Sequence, residues 1–329
     1  MFVANRLARL LAVGILGASL SHASLIVSVY DTALPALQTG VSSIGLGVAG
    51  SNVALFTTKP LYSSPLYNGG LNFTFQGTPG FVIPLTLQSV ALADPADSNQ
   101  FYFSAKAGPF WRIYRYRINP EEVAASAAIA PLAGFPAGIA LDSTGAEYLT
   151  GPGPTGILKF SAPLSSTPLF EFGTSGPGTL STPTALAIGP DGLIYVLDTG
   201  NSRIAAFDTD GDYISDFSLL GGFSPDTLAI GSNGWLYTAN GNGGGDIYDI
   251  YNGNFVGSFD SVGSNPTTNT SRTVLLASGN DLYLLDQNTG LHVFDTSVPE
   301  PATWTMLLAA GIAGVALRRR AFYRTPSGR

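Results

Sequence analysis

Cysteine is absent from this 329-residue chain. That excludes disulfides, thiolate metal sites and cysteine nucleophiles. Histidine is nearly absent, with 2 in all, and His22 falls just after the N-terminal apolar segment. A histidine metal site or a Ser/His/Asp triad could therefore draw only on His292, which alternates along the strand-like "GLHVFDT" and reads as a structural or surface residue. Charge is scarce: charged residues make up 11% of the chain, against roughly a quarter in ordinary soluble proteins. Basic charge is scarcest in the middle, where residues 24–300 hold 22 acidic and 8 basic side chains, a net of −14. Such a body repels nucleic-acid phosphates. The two terminal apolar runs, 10–20 and 302–317, both fall short of the roughly 20 residues of a full membrane-spanning helix.

Glycine (40) and proline (22) are abundant, and hydrophobic residues make up 45% of the chain. A sizeable core is possible at this length, and the many turn residues favour an all-β fold over a helical bundle.

The N-terminus reads as a secretory signal. Arg6 and Arg9 precede an apolar stretch from Leu10 to Leu20, and Ser21-His22-Ala23 offers a small-x-small site with cleavage after Ala23 by signal peptidase. General secretion machinery would carry the body across the membrane. At the other end, residues 302–317 are uncharged, with Trp304 near one end and Arg318, Arg319 and Arg320 after the other. A sixteen-residue helix covers about 24 Å, short of a hydrocarbon core of about 30 Å. The arginines favour the cytoplasmic side, leaving the body outside. Before the run stand Pro299, Glu300 and Pro301, whose prolines keep the chain extended and accessible to a membrane peptidase.

"VPEPATWTMLLAAGIAGVALRRR" closely resembles the PEP-CTERM sorting signal in all three parts: motif, hydrophobic helix and arginine-rich end. The resemblance implies an exosortase as processing partner, with Pro299, Glu300 and Pro301 as its recognition motif. It also implies a Gram-negative envelope protein that rests briefly in the inner membrane, in bacteria that make exopolysaccharide and biofilm.

The body repeats. "AGIALDSTGAEYLT" (137–150), "TALAIGPDGLIYVL" (184–197) and "DTLAIGSNGWLYTA" (226–239) align without gaps, placing Ala140, Ala187 and Ala229 five residues before a glycine and eight before Tyr148, Tyr195 and Tyr237. Each reads as strand, tight turn, strand. "RIAAFDTDGDYISDF" (203–217) adds two more strands and a turn. Fainter copies begin near 41, 88 and 271, so units recur every 42–48 residues. Four short strands at that period describe a β-propeller blade. The expected fold is all-β, a six-bladed propeller with five or seven blades as alternatives, flanked by a signal helix and a C-terminal hydrophobic helix. The last copy stops after its third strand, and "SLIVSVYDT" (24–32), placed beside "GLHVFDT", would complete it and close the ring. The expected organisation is signal peptide 1–23, propeller 24–296 and sorting segment 297–329.

Residues 183–217, through "AIGPDGLIYVLDTGNSRI" and "FDTDGDYI", resemble the NHL repeat, whose members are propellers. Some NHL-like and related propellers resemble lyases, lactonases or other hydrolases with a metal in the central channel. Such sites draw on several histidines and carboxylates, and one histidine argues against that chemistry here, although an all-carboxylate metal site stays open.

Three stretches are candidate sites. Asp208, Asp210 and Asp212 in "DTDGD" could converge on Ca2+, but Gly211 sits at position four rather than six, and a hairpin turn explains the pattern as well; no cofactor is expected. Trp111, Arg112, Arg115 and Arg117 in "WRIYRYR" could stack on sugars or hold a polyanion, or form a plain strand. "GNGGGD" (241–246) lacks the lysine of a phosphate loop and reads as a flexible connection. Together these features predict a non-enzymatic exported protein whose propeller binds, or is built into, exopolysaccharide or matrix proteins.

Overall fold

The computed structural model describes residues 28–32, 44–49, 52–57, 72–76, 92–94, 97–107, 110–117, 122–125, 138–150, 156–221, 225–239, 244–260, 273–286 and 290–296. They lie in one compact unit, Ile26–Val298. β1 is Ser28–Thr32. β2 (Ile44–Ala49), β3 (Asn52–Thr57) and β4 (Asn72–Gln76) form a three-stranded sheet. β5 (Leu92–Asp94), β6 (Asp97–Ala107), β7 (Phe110–Arg117) and β8 (Glu122–Ala125) form a four-stranded one. The next is β9 (Gly138–Leu141), β10 (Glu147–Thr150), β11 (Ile157–Phe160) and β12 (Phe170–Phe172), followed by β13 (Pro183–Ile188), β14 (Ile194–Asp198), β15 (Arg203–Phe207) and β16 (Tyr213–Ser218). Then come β17 (Thr227–Ile230), β18 (Trp235–Ala239), β19 (Gly244–Asp249) and β20 (Phe255–Asp260). β21 (Thr273–Ser278), β22 (Asp281–Asp286) and β23 (Gly290–Asp295) are completed by β1.

The architecture is an all-β propeller with five four-stranded antiparallel blades. First strands of successive blades are neighbours, from β5 through β9, β13 and β17 to β21. The segment read as the weakest copy departs from the pattern: β3 and β4 are parallel, so its sheet lacks the hairpin order of a blade. The structure therefore has five blades, the count given as an alternative, rather than the six expected, because this sheet does not take blade form. The segments 1–23 and 297–329, within which the terminal helices were expected, lie outside the described residues. Among the described residues no helix is long and apolar enough to cross a membrane.

In the β9–β12, β13–β16 and β17–β20 blades the first hairpin turn needs glycine. Gly145, Gly192 and Gly234 have φ of +85°, +81° and +79°, a region closed to most L-residues. Beyond the turn the tyrosine of strand two lies opposite the alanine of strand one, in the pairs Tyr148–Ala140, Tyr195–Ala187 and Tyr237–Ala229. A large ring beside a methyl group fits the pleat without overpacking. Blade faces pack into seams. Tyr102, Ile113, Ile139, Leu149 and Leu158 fill the seam between the β5–β8 and β9–β12 blades. Tyr148, Ile157, Phe172, Ile194 and Phe207 fill the next. Burial of each such side chain contributes roughly 2 kcal/mol.

β1 pairs antiparallel with β23, setting Ser28 against Phe294 and Thr32 against Leu291. The N-terminal strand thus closes the last blade, as its sequence predicted. Because strands alternate in direction, all first-to-second and third-to-fourth turns gather on one face, here called the hairpin face. The remaining connections gather on the opposite face.

Candidate functional site

The "DTDGD" segment is a hairpin turn between β15 and β16. Asp208 Oδ1 accepts the backbone N–H groups of Asp210 (3.0 Å) and Asp212 (2.8 Å), and Gly211 takes φ +88°. The carboxylate a cation would need first is therefore engaged in its own turn. Lys159 of the neighbouring blade donates to Thr209 O at 2.6 Å and lies over the rings of Tyr148 and Phe170, at 5.5 and 5.4 Å. Among the described residues no three metal-ligating side chains converge.

"WRIYRYR" is β7, the third strand of its blade. Strand alternation puts Arg112 and Tyr114 on one face and Ile113, Arg115 and Arg117 on the other. Ile113 packs in the seam toward β9–β12, and Arg117 pairs with Asp97 at 3.6 Å. The three arginines do not form one basic strip. The side chain of Trp111 lies outside the described residues, as does that of His292, whose backbone pairs with Leu284 and Asp31.

The glycine-rich "GNGGGD" is only partly a connection, because residues 244–246 belong to β19. A Cβ on Gly245 would fall 1.8 Å from Thr238 O, so glycine there permits close backbone approach. Asp246 is buried and accepts from Ser258 Oγ at 2.8 Å. Ala23, Pro299, Glu300, Pro301, Arg318, Arg319 and Arg320 lie outside the described residues.

Two polar features were not singled out by sequence. The first centres on Asp198, which is fully buried. Its Oδ1 accepts the N–H groups of Ser181 (2.9 Å) and Thr182 (3.1 Å), and its Oδ2 accepts from Asn201 Nδ2 (2.6 Å) and Arg203 Nε (3.1 Å). Arg203 also reaches Asp216 at 2.5 Å and Thr179 O at 2.7 Å. Burial opposes the Arg203 charge, but Asp198 and Asp216 outweigh it and raise its pKa. Within "DTGNSR", then, Asp198, Asn201 and Arg203 bind the loop before β13 to β14, β15 and β16. The motif was visible in sequence; its work as a clamp was not.

The second is Glu147, the first residue of β10. It is fully buried and neither carboxyl oxygen has a hydrogen-bond partner. Burial pushes its pKa up to about 8. The corresponding residues of other blades, each just before the strand-two tyrosine, are Phe101, Ile194, Leu236 and Leu282, all apolar and buried. Glu147 shares a β10 face with Leu149 and so points into the seam toward β5–β8.

Each strand-two tyrosine except that of the final blade makes a firm contact at the hairpin face. Tyr102 donates to Asp94 (3.0 Å), Tyr148 to Asp142 (3.0 Å) and Tyr195 to Asp191 (2.8 Å), while Tyr237 accepts from Asn233 (3.2 Å). In the final blade the Tyr283–Asp281 contact is longer, at 3.4 Å. Burial first, then the carboxylate partner, raises the Tyr102 phenol to about 12; Tyr148 and Tyr195 are raised in the same way.

Two family models match the chain: the PEP-CTERM protein-sorting motif over residues 297–320 and the NHL repeat over 180–207. No curated protein sequence matches it. Among solved structures, a streptogramin B lyase is 13% identical, with 80% of this chain and 86% of that chain covered and a TM-score of 0.52. A protein of unknown function from Bacteroides thetaiotaomicron VPI-5482 is 14% identical, with 78% and 70% covered and a TM-score of 0.51. Virginiamycin B lyase from Staphylococcus aureus is 14% identical, with 67% and 68% covered and a TM-score of 0.48. At these identities the likeness is one of fold. The chain therefore carries a PEP-CTERM sorting motif, the mark of an exported, exosortase-sorted envelope protein, behind a β-propeller body that contains an NHL repeat.

Proposed function

We propose that this protein is a non-enzymatic binding or structural module of the exopolysaccharide-rich matrix of a Gram-negative bacterium, needing no cofactor. The carrying observation is the joining of a propeller to a sorting motif at residue 297 with almost no linker. In this reading signal peptidase cuts after Ala23, the segment 302–317 holds the body at the inner membrane with Arg318–Arg320 inside, and exosortase acts at Pro299–Pro301. Polysaccharide or another matrix protein is the partner. Arg112, split by the sheet from Arg115 and Arg117, offers one contact to an acidic sugar rather than a strip. The three-stranded sheet fills the sixth position of the ring, because β2 lies between β21 and β5 in the ring of first strands. The non-enzymatic reading is favoured by the engagement of Asp142, Asp191, Asp198 and Asp208 in turns and clamps.

The test is the intact mass of the native protein from membrane and extracellular fractions. A species lacking residues 1–23 and the segment after the motif, found outside the cell, supports the reading. A protein with its tail intact and confined to the inner membrane would reduce it to a simple anchor.

A further inference from the structure

The register between β1 and β23 has a consequence for export. Ser28 lies against Phe294, so the start of β1 and the finish of β23 share one end of one blade. Thr296 is held at that end: its N–H and its hydroxyl both donate to Asn280 O, at 2.6 and 2.8 Å, in the β21–β22 turn. This is the place where other blades carry their third-to-fourth hairpin. Phe207–Asp208–Thr209 opens such a hairpin, and Phe294–Asp295–Thr296 repeats its first three residues. Both ends of the body therefore leave from the hairpin face.

The lengths beyond are short. Ala23 is five residues before Ser28, and Pro299 is five after Phe294. At no more than about 3.5 Å per residue, the two processing points lie within about 40 Å of each other whatever path those residues take. The uncharged run begins at Ala302, six residues after Thr296, so this end of the last blade is held within about 20 Å of the start of that run.

We propose that the hairpin face at the final blade is the membrane-facing side of the tethered protein, and that the opposite face is the one presented for binding. This rests on the reading of 302–317 as a membrane segment. The partner of the hairpin face is the outer leaflet of the inner membrane. Asp191, Asp210 and Asp212 are exposed on that face and give it no attraction for an anionic bilayer. The tether alone holds it there, and cutting the tail frees it.

The absence of native cysteine makes the test direct. Single cysteines are placed at exposed positions of the full-length chain: Asn280→Cys and Ser232→Cys on the hairpin face, and Leu220→Cys and Ser181→Cys on the opposite face. Spheroplasts are treated with a 5-kDa polyethylene-glycol maleimide, a size of about 5 kDa being bulky enough to be excluded from a narrow gap, and rates are divided by those of the same variants in detergent. The expected result is at least a several-fold slower rate at Asn280→Cys and Ser232→Cys in the tethered form, lost once the tail is removed. Equal normalised rates at all four positions in membrane-bound protein would overturn this orientation alone. Tail-bearing protein found wholly in the soluble fraction would overturn the membrane reading and this inference with it.

Discussion

The phenol of Tyr148 and the carboxylate of Asp142 meet at 3.0 Å, while the other oxygen of Asp142 accepts the N–H groups of Thr144 (2.8 Å) and Ala146 (3.0 Å). One carboxylate thus closes the first hairpin of its blade and fixes the ring that fills the next seam. Burial alone would raise the Asp142 pKa, but the hydrogen bonds from Thr144, Tyr148 and Ala146 prevail and lower it.

Removing either partner tests this latch. Tyr148→Phe deletes one hydrogen bond and should cost about 1 kcal/mol. Asp142→Ala also strands two backbone donors and should cost about 2 kcal/mol. A group with a depressed folded pKa contributes stability above its unfolded pKa and loses it as pH falls. Urea unfolding at neutral pH should therefore show both deficits, and the Asp142→Ala deficit should shrink toward pH 3, below the usual aspartate range of about 3.9. Equal deficits at both pH values would count against the latch.

Glu147 gives the opposite sign. Its folded pKa, about 8, lies above its ordinary 4.5, so the folded state keeps a proton that the unfolded chain releases. Its contribution to stability falls as pH rises from about 4.5 to about 8 and levels off beyond. Glu147→Gln should flatten that slope. Glu147→Leu, matching the apolar residues of the other blades, should raise stability at pH 8.5 by on the order of 2 kcal/mol and by much less at pH 4. Denaturant titrations at the two pH values decide it; a wild-type curve with no extra decline relative to Glu147→Gln would remove the claim.

The clamp around Asp198 should be the most sensitive polar point of the NHL-like blade. Arg203→Ala leaves a buried carboxylate without its cation, and about 3 kcal/mol of stability should be lost. Asp198→Asn keeps the shape and part of the bonding and should lose less. Thermal unfolding of the two variants beside wild type reads the order directly.

Deleting residues 24–34 removes β1 and exposes the edge of β23. The melting temperature should fall by several degrees and aggregation should increase, since an open strand edge invites intermolecular pairing. An unchanged melting temperature would mean that β1 is dispensable to the ring.

The fold was legible where short-range chemistry repeats. Alanine, glycine and tyrosine at fixed offsets marked three hairpins, because each residue meets a local steric demand. The signal faded at Tyr102 and Tyr283, which lie opposite Leu92 and Leu276 rather than alanine. The latches were illegible for a different reason. Asp142 precedes its tyrosine by six residues, Asp191 by four and Asp94 by eight, so one contact is reached from different places in the turn. The parallel pairing of β3 with β4 was equally hidden, since strand direction depends on the path of the intervening chain. Glu147 looked like any polar residue beside a turn until the neighbouring blade was seen to cover it. The arginines of β7 looked like a strip only while alternation across the sheet was set aside.

The pairing of β1 with β23 also means that the chain is a closed ring interrupted at a single turn. A short hairpin joining Thr296 to Ser28, of the kind that already links β15 to β16, would leave the blade order unchanged. The polypeptide could then be opened at another exposed connection, such as the one between β12 and β13, giving a permuted protein of the same shape. The present beginning and end of the body are thus matters of delivery rather than of architecture.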